Sequence, residues 1–165
     1  NSFAEWYADN PNGVLYSTRL ERALPMPPAG PGSYVFDEEA YFPIDGSGWG
    51  DELGPDGQPE LGSDGSAHNF HFTTEAHATF TYAGGEVFTF TGDDDVWVYV
   101  NGHLAIDLGG VHGAANETID FDAQASALGL VQGHSYPIDF FQAERHTTES
   151  HFRIETSIAC FTNIQ

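Results

Sequence analysis

Three consecutive carboxylates, Asp93, Asp94 and Asp95, lie between two segments that are typical of β-strands. Like charges this close repel one another, so either the side chains are solvated on an exposed turn or a cation holds them together. Calcium takes roughly six to eight oxygen ligands, and adjacent carboxylates at a turn supply several of them from a short span of backbone. The chain has no lysine, so internal compensation has to come from an arginine or a metal ion. These residues alone leave the solvated turn and the calcium site equally open.

The segments on either side of the triplet alternate between apolar and polar residues, which is the pattern of half-buried β-strands. In one of them Val96, Val98 and Val100 share a face. Trp97 and Tyr99 share the opposite face and are predicted to pack under the N-terminal segment. The runs with this period are 77–83, 86–91, 96–100, 104–108, 119–121, 138–140 and 152–158. Short strands separated by glycine-containing turns predict an all-β protein built as an antiparallel sandwich or barrel.

Turn and cap signals indicate how these strands are connected. Asn101-Gly102 predicts a tight hairpin, because both residues readily adopt a positive φ. Ser2-Phe3-Ala4-Glu5 has the form of a capping box and predicts a short N-terminal helix. The prolines between 25 and 31 predict a loop, and the glycine-rich stretch 45–66 predicts a long loop over one end of the sheets. We therefore expect an antiparallel β-sandwich with a short N-terminal helix and long glycine-rich loops.

Length and charge narrow the classes of function. At 165 residues the chain is long enough for one hydrophobic core, and we expect a single domain over 1–165. The net charge of −21 repels phosphate, so nucleic acids and anionic membrane surfaces are not expected partners. No apolar run approaches the roughly 20 residues that cross a bilayer. Cys160 is the only cysteine, which excludes an internal disulfide, and the start at Asn1 suggests a mature fragment or an excised domain.

Catalytic and zinc motifs are not apparent in the sequence. No Ser–His–Asp elbow, phosphate loop or dinucleotide fingerprint is present, and three adjacent aspartates on one turn cannot flank a glycosidic bond from opposite sides. We therefore do not expect an enzyme. His68 and His71 have no cysteine partners nearby and are interpreted as structural or exposed side chains. His112 and His146 are candidates for the functional site, because both lie in loops expected to neighbour the aspartates.

Two further residues have alternative interpretations. Arg145 either neutralises the aspartates without a metal, or holds its loop in place through a bidentate pair with a carboxylate. Trp49 lies in the glycine-rich loop, where it either stacks on a sugar ring or anchors that loop to the sheet. The residues alone favour the Arg–Asp bridge and the anchoring tryptophan.

The longest ordered stretches resemble one known family. GDDDVWVYVNGHLAIDLGGVHG and YPIDFFQAERHTTESHFRIETS are similar to the fibro-slime family, within the wider group of protective-antigen-type β-sandwich domains that includes flocculins and adhesins. SFAEWY, YFPIDGSGWG and HNFHFTTEAHATFTY match the same pattern, so the resemblance covers nearly the whole chain. It implies an extracellular calcium-binding sandwich found in large bacterial surface proteins. In its sugar-binding relatives, an Asp–Asp pair joined by a cis peptide holds a calcium ion that coordinates glycan hydroxyls.

Carried over to this chain, the resemblance assigns the pair to Asp93 and Asp94, with Asp95 standing where the relatives usually have glycine. The relatives complete the calcium shell from the loop between their last two strands, which here is 144–149 and lacks their usual Asn or Asp. Glu144 or Glu149, or the carbonyl groups of this loop, are the expected substitutes. The candidate metal ligands are Asp93, Asp94, Asp95, Glu144, His146 and Glu149. The candidate ligand-binding residues are Trp49, His112, Arg145 and Thr147.

The expected function is calcium-dependent carbohydrate binding, as a lectin-like adhesion domain of a secreted or surface-anchored bacterial protein. The expected cofactor is Ca²⁺, and the expected partner is a cell-surface or matrix glycan, with the domain forming part of a larger multidomain protein. The alternative is a structural module in which the same calcium closes its own shell, joins two loops and supports protein–protein assembly without binding sugar.

Overall fold

Ten β-strands and one α-helix form the regular structure within the residues that the computed structural model describes, which are 6–7, 19–47, 50–145 and 148–163. The strands are β1 (Pro28–Gly30), β2 (Ser33–Glu38), β3 (Phe72–Thr81), β4 (Val87–Gly92), β5 (Asp95–Val100), β6 (His103–Leu108), β7 (Ala115–Asp120), β8 (Ser135–Glu144), β9 (Phe152–Thr156) and β10 (Thr162–Asn163). The helix is α1 (Phe121–Leu128). The capping box at 2–5, from which a short N-terminal helix was predicted, lies outside the described residues.

The strands form two antiparallel five-stranded sheets, which confirms the predicted β-sandwich. The first sheet has the order β1-β2-β9-β4-β7, and the second has the order β10-β3-β8-β5-β6. Alternate side chains of both sheets form one core between them, dominated by aromatic rings. Phe90, Phe140 and Phe152 meet at its centre with ring centroids 5.1–5.5 Å apart. Rings at these separations contribute about 0.5–1.5 kcal/mol per pair beyond the area they bury.

The predicted alternation along β5 is confirmed. Val96, Val98 and Val100 are fully buried, whereas Trp97 and Tyr99 lie half-buried on the outer face. The hairpin that follows β5 is also confirmed, because Asn101 and Gly102 have φ values of 51° and 74°. Two consecutive positive φ values match the twist of the flanking strands in a two-residue turn.

Leu104 departs from the predicted pattern of β6. We predicted Leu104, Ile106 and Leu108 on one face, but the Leu104 side chain is exposed. The register shifts by one residue here, because Ile106 pairs with Val98 while Leu104 pairs with Tyr99. The extra residue of this bulge moves Leu104 to the outer face.

The run 119–121 does not continue as a strand, because α1 begins at Phe121. Asp120 caps the helix by accepting a hydrogen bond from the Ala123 N–H at 3.0 Å, and Gly129 ends it with φ 67°. An N-cap aspartate, alanine-rich interior and C-terminal glycine are together a helix signal that strand alternation concealed. The buried side chains of Phe121 and Leu128 pack the helix against the core.

The proline-rich segment 25–31 was predicted as a loop, but it contains the short strand β1. β1 includes Pro28 and pairs with β2, and the turn between them contains Gly32 with φ 70°. β1 is an edge strand of its sheet, where a residue without an N–H donor is tolerated. Tyr34, Val35 and Phe36 on β2 are β-branched or aromatic residues that favour a strand, and they were the available signal.

The long loop of 39–71 contains no regular helix or strand in its described part, as the glycine-rich composition predicted. His68 anchors it, stacking on Phe42 at 3.6 Å and approaching Asp45 and Asp64 through its two ring nitrogens at 2.6 and 3.2 Å. Burial opposes the charged form, but the hydrogen bonds to Asp45 and Asp64 outweigh it and raise the pKa of His68. His68 is therefore a structural residue, as predicted, and His71 contacts Glu52 instead.

Four connections pass between the two sheets at one end of the sandwich. They are 39–71, 93–94, 109–114 and 145–151. The pairings of Gly92 with Phe152, Asp95 with Ala143 and Val96 with Leu108 bring the ends of the corresponding strands together. Asp93 and Asp94 are thus the shortest of four crossovers that meet at this end, and Asp95 begins the strand that follows.

Candidate functional site

The Asp94 carboxylate joins the three shorter crossovers. Its Oδ1 accepts a hydrogen bond from the His112 N–H at 3.2 Å, and its Oδ2 accepts one from the Arg145 N–H at 2.9 Å. The Asp94 N–H also donates to the His112 carbonyl at 3.2 Å. Asp94 has φ 55°, a left-handed conformation that aspartate adopts more readily than most residues. This local turn directs the carboxylate toward the neighbouring loops.

Asp93 holds the start of β9 and keeps one oxygen free. Its Oδ2 accepts the His151 N–H at 3.0 Å and lies 2.5 Å from the His151 Nδ1. Its Oδ1 is buried and has no hydrogen-bond partner among the described residues. A buried oxygen without a partner carries a desolvation cost of about 1–3 kcal/mol, and more when it is charged. A further ligand at Asp93 Oδ1 would remove this cost.

Asp95 is engaged differently from its two neighbours. Its Oδ1 accepts the Gly110 N–H at 2.7 Å, and its Oδ2 accepts the Arg145 Nε–H at 2.5 Å. The Arg145 guanidinium also lies over the Trp6 ring, 5.5 Å from the centroid. The predicted Arg–Asp bridge is thus present, and it orients the first residue of the 145–151 crossover.

The carboxylates surround a hollow of about 360 Å³, which we call the aspartate hollow. Its lining comes from the crossovers at 93–94, 109–114 and 145–151 and from the end of β8. The lining residues are Asp93, Asp94, Val111, His112, Gly113, Glu144, Thr148 and Glu149. Asp93, Asp94 and Glu144 are buried, whereas Glu149 is exposed at its rim.

The charge in the aspartate hollow is only partly balanced. Arg145 pairs with Asp95, and His151 lies against Asp93, but Asp94 contacts only backbone N–H groups among the described residues. Glu144 and Glu149 add further acidic groups to the same lining. Burying an ionised carboxylate costs several kcal/mol unless an opposite charge compensates it. This arrangement favours a bound cation.

The chemistry of the donor atoms suits a hard cation. Four of the lining residues, Asp93, Asp94, Glu144 and Glu149, carry carboxylate oxygens, which are the ligands that calcium and magnesium prefer. Ligand atoms of Asp93, Glu149 and His151 lie within 4.8 Å of one another. The residues present therefore fit a calcium ion, with the unpartnered Asp93 Oδ1 as the specific atom that it would satisfy.

His112 contributes to the site through its backbone and keeps its ring turned to its own loop. The ring Nδ1 lies 2.9 Å from the Gly113 carbonyl, and the Nε2 lies 3.1 Å from the Leu108 carbonyl. Burial opposes the charged form, but these two carbonyls, followed by the charges of Asp94 and Asp93, raise the pKa of His112. A ring that faces two acceptors is not disposed to act as a metal ligand through nitrogen.

The structure thus collects most of the predicted site residues at one place. Asp93, Asp94, Glu144, Glu149 and His112 line the aspartate hollow, while Asp95 and Arg145 form the bridge beside it. His146, Thr147 and Trp49, also predicted, lie outside the described residues.

Two findings differ from the sequence-based expectations for this site. The resemblance implies a cis peptide between Asp93 and Asp94, and this is wrong, because no peptide bond among the described residues is cis. His151 was not predicted as a site residue, although it contacts Asp93 twice. Its position immediately before β9, which pairs with the end of β4, was the signal that could have identified it.

Comparisons with known proteins agree with this architecture. The chain matches the PA14 domain profile over residues 30–162. It is 45% identical to protein psiC of Dictyostelium discoideum over 159 residues, which is 96% of this chain and 29% of psiC. It is 43% identical to protein psiR of the same organism over 159 residues, which is 96% of this chain and 16% of psiR. The chain therefore spans less than a third of the length of each of these relatives.

No solved structure matches the chain significantly. No helix within the described residues has the length and apolar character needed to span a membrane. The protective-antigen-type character expected from the sequence is confirmed by the profile match, which covers most of the chain. PA14 domains have carbohydrate-binding and adhesion roles, and they occur within larger extracellular and surface proteins. This protein belongs to the PA14 domain family.

Proposed function

We propose that this protein is a calcium-dependent carbohydrate-binding domain that acts in adhesion as part of a larger secreted or surface protein. The observation that carries the proposal is Asp93 Oδ1, a buried carboxylate oxygen without a hydrogen-bond partner among the described residues, in the wall of an acidic hollow. Membership of the PA14 family supports the binding role and fits a non-enzymatic module. The closer resemblance to fibro-slime proteins and the bacterial source stay predictions.

The calcium ion would be held by Asp93 and Asp94, with Glu144 and Glu149 as further oxygen donors. Bound calcium would supply open coordination positions for vicinal hydroxyl groups of a sugar. His151, Arg145 and Asp95 are positioning residues in this proposal, because their hydrogen bonds fix the carboxylates and the 145–151 crossover. Calcium would then offset the repulsion between carboxylates that the fold forces together.

The size of the aspartate hollow favours an accessible ion over a closed shell. A water molecule occupies about 30 Å³ of liquid volume, so a hollow of about 360 Å³ has room for an ion and several exchangeable ligands. Glu149 and Val111 on its lining are exposed, which leaves an approach from solvent. A purely structural calcium would instead be expected to fill its shell with protein oxygens.

A glycan array probed in calcium, and again in excess chelator, tests the proposal. We expect glycan binding that is present in calcium and absent in chelator, with the Asp93→Asn variant as a control that stays blank in both conditions. A blank array from folded, calcium-loaded protein would contradict carbohydrate binding and favour the structural module. Equal binding in calcium and chelator would contradict the role of the ion.

A further inference from the structure

A second hollow of about 510 Å³ lies on the outer face of the second sheet, and we call it the aromatic hollow. Its lining residues are Tyr7, Trp97, Tyr99, Gly102, Asp139 and Phe141. None of these six lines the aspartate hollow. Gly102 belongs to the β5–β6 hairpin, which is at the end of the sandwich away from the aspartates.

The register of β5 and β8 sets these side chains opposite one another. Trp97 pairs with Phe141 and Tyr99 pairs with Asp139, and all four point away from the core. Tyr7 completes the group from the N-terminal segment. Its hydroxyl donates a hydrogen bond to the Gln142 carbonyl at 2.6 Å, and this bond holds the Tyr7 ring beside Phe141.

The rings of Tyr7 and Tyr99 each stand nearly perpendicular to the ring of Phe141. Tyr7 and Phe141 are 5.1 Å apart at 78°, and Tyr99 and Phe141 are 6.0 Å apart at 84°. Rings at right angles do not form the flat platform on which a sugar stacks. They instead present faces and edges around a volume, which suits a compact rounded group.

The surroundings of the aromatic hollow are negatively charged. Asp139 lies on the lining with 28% of its side chain exposed, and its Oδ1 contacts the His77 Nδ1 at 2.8 Å. Burial, followed by the charges of Asp95 and Glu75, raises the pKa of the Tyr7 phenol. The whole chain carries a charge of −21. These charges oppose the binding of an anion and favour the binding of a cation.

We propose that the aromatic hollow binds a compact organic cation of the alkylammonium class, such as a trimethylammonium group. Aromatic faces attract such cations through the ring quadrupole, and a neighbouring carboxylate supplies the countercharge. The combination of Trp97, Tyr99, Phe141 and Tyr7 with Asp139 provides both contributions in one place. This site is independent of the calcium site and does not rest on carbohydrate binding.

Titration calorimetry with choline tests this inference, with neutral 3,3-dimethylbutan-1-ol as a matched control of the same shape. We expect choline to bind about threefold to thirtyfold more tightly than the neutral alcohol, which is the range of one to several cation–π contacts. Equal affinity for the two compounds, or no detectable binding of choline by folded protein, would overturn the proposal.

Substitutions in the hollow locate the binding. We expect Tyr99→Leu and Asp139→Asn each to weaken choline binding by about threefold or more, because they remove a ring face and the countercharge. Tyr34→Leu, a tyrosine on the other sheet, serves as the control and should bind as the unmodified protein does. Unchanged choline binding by both Tyr99→Leu and Asp139→Asn would contradict the assignment.

The calcium-site variant Asp93→Asn separates this inference from the proposed function. It should retain choline binding even though it is expected to lose calcium binding. Loss of choline binding in folded Asp93→Asn protein would contradict an independent site. Retention of choline binding alongside a blank glycan array would leave the cation site standing while the carbohydrate proposal failed.

Discussion

Asp93 and Asp94 are neighbours in the chain, but their carboxylates have different surroundings. Asp94 uses both oxygens to accept backbone N–H groups from two separate crossovers. Asp93 uses one oxygen for His151 and leaves the other unpartnered within the described residues. Asp94 therefore has a structural role with or without an ion, whereas the second oxygen of Asp93 would gain a partner from the ion that we propose.

Thermal unfolding of Asp93→Asn and Asp94→Asn, each in chelator and in calcium, tests this difference. We expect Asp94→Asn to lose about 1–3 kcal/mol in chelator, because it weakens a buried hydrogen bond to a charged group. In calcium it should lose part of the calcium stabilisation as well, because Asp94 is a proposed ligand of the ion. Asp93→Asn should remain closer to the unmodified protein in chelator and lose the stabilisation that calcium supplies.

That stabilisation is about 2.7 kcal/mol at a calcium concentration of 100 times Kd, or about 5–10 °C for a domain of this size. Identical behaviour of the two variants in chelator would contradict the separate roles. A full calcium-induced shift in Asp93→Asn would contradict its part in binding.

His68 provides a pH-dependent contribution to stability away from the proposed calcium site. Its pKa is raised by Asp45 and Asp64 despite burial, so its stabilising effect is present below the ordinary imidazole value of about 6.5 and is lost as pH rises through the folded pKa. Urea unfolding in chelator should show that His68→Gln costs more stability near pH 5.5 than near pH 8.5. His71→Gln, at an imidazole with 54% of its side chain exposed, is the matched control. A pH-independent cost at His68 would contradict the ion pairs.

At the level of elements, the site depends on how closely β4 approaches β9. A Cβ on Gly92 would lie 2.5 Å from the His151 carbonyl oxygen and 2.5 Å from the Phe90 ring. Only glycine permits this approach, which brings Asp93 within reach of His151. The absence of a side chain at the end of β4 is thus a requirement of the site.

Gly92→Ala should therefore destabilise the fold by about 1–3 kcal/mol and weaken calcium binding as well, because His151 has to move away from Asp93. Gly30→Ala, where an added Cβ meets nothing within 4 Å, is the control and should change neither property. Calorimetric calcium titrations and thermal unfolding measure both effects. Normal calcium affinity in Gly92→Ala would show that the contact with His151 is dispensable.

The elements that alternation predicted best are those with one face in the core, such as β4, β5 and β9. Alternation failed where a bulge reverses the faces, as at Leu104, and where a helix begins directly after a strand, as at Phe121. In the site, Asp93 and Asp94 were identifiable because adjacent carboxylates are chemically conspicuous. His151 was not, because its role comes from strand pairing between residues 58 positions apart.

At the level of the whole molecule, the charge of −21 opposes the compact state and attracts cations. Salt shortens the range of this repulsion from about 30 Å at 0.01 M to about 3 Å at 1 M. In chelator, the midpoint of thermal unfolding should therefore rise by a few degrees as sodium chloride increases across this range. Calcium affinity should fall over the same range, because screening weakens attraction to the aspartate hollow. A salt-independent affinity would contradict an electrostatic site.

The domain has two hollows of different chemical character at different places on the sandwich. Crossovers at one end gather carboxylates, while the outer face of the second sheet gathers aromatic rings. The strand β8 contributes to both, since it supplies Glu144 to the aspartate hollow and Asp139 and Phe141 to the aromatic hollow.

Calcium titration calorimetry of the unmodified protein beside Asp93→Asn is the most direct test of the central claim, that the aspartate hollow binds calcium through the free oxygen of Asp93. We expect saturable binding of one ion by the unmodified protein, and at least a tenfold loss of affinity in the variant, which corresponds to about 1.4 kcal/mol. Absence of calcium binding by the folded protein, or equal affinity in folded Asp93→Asn, would contradict the claim.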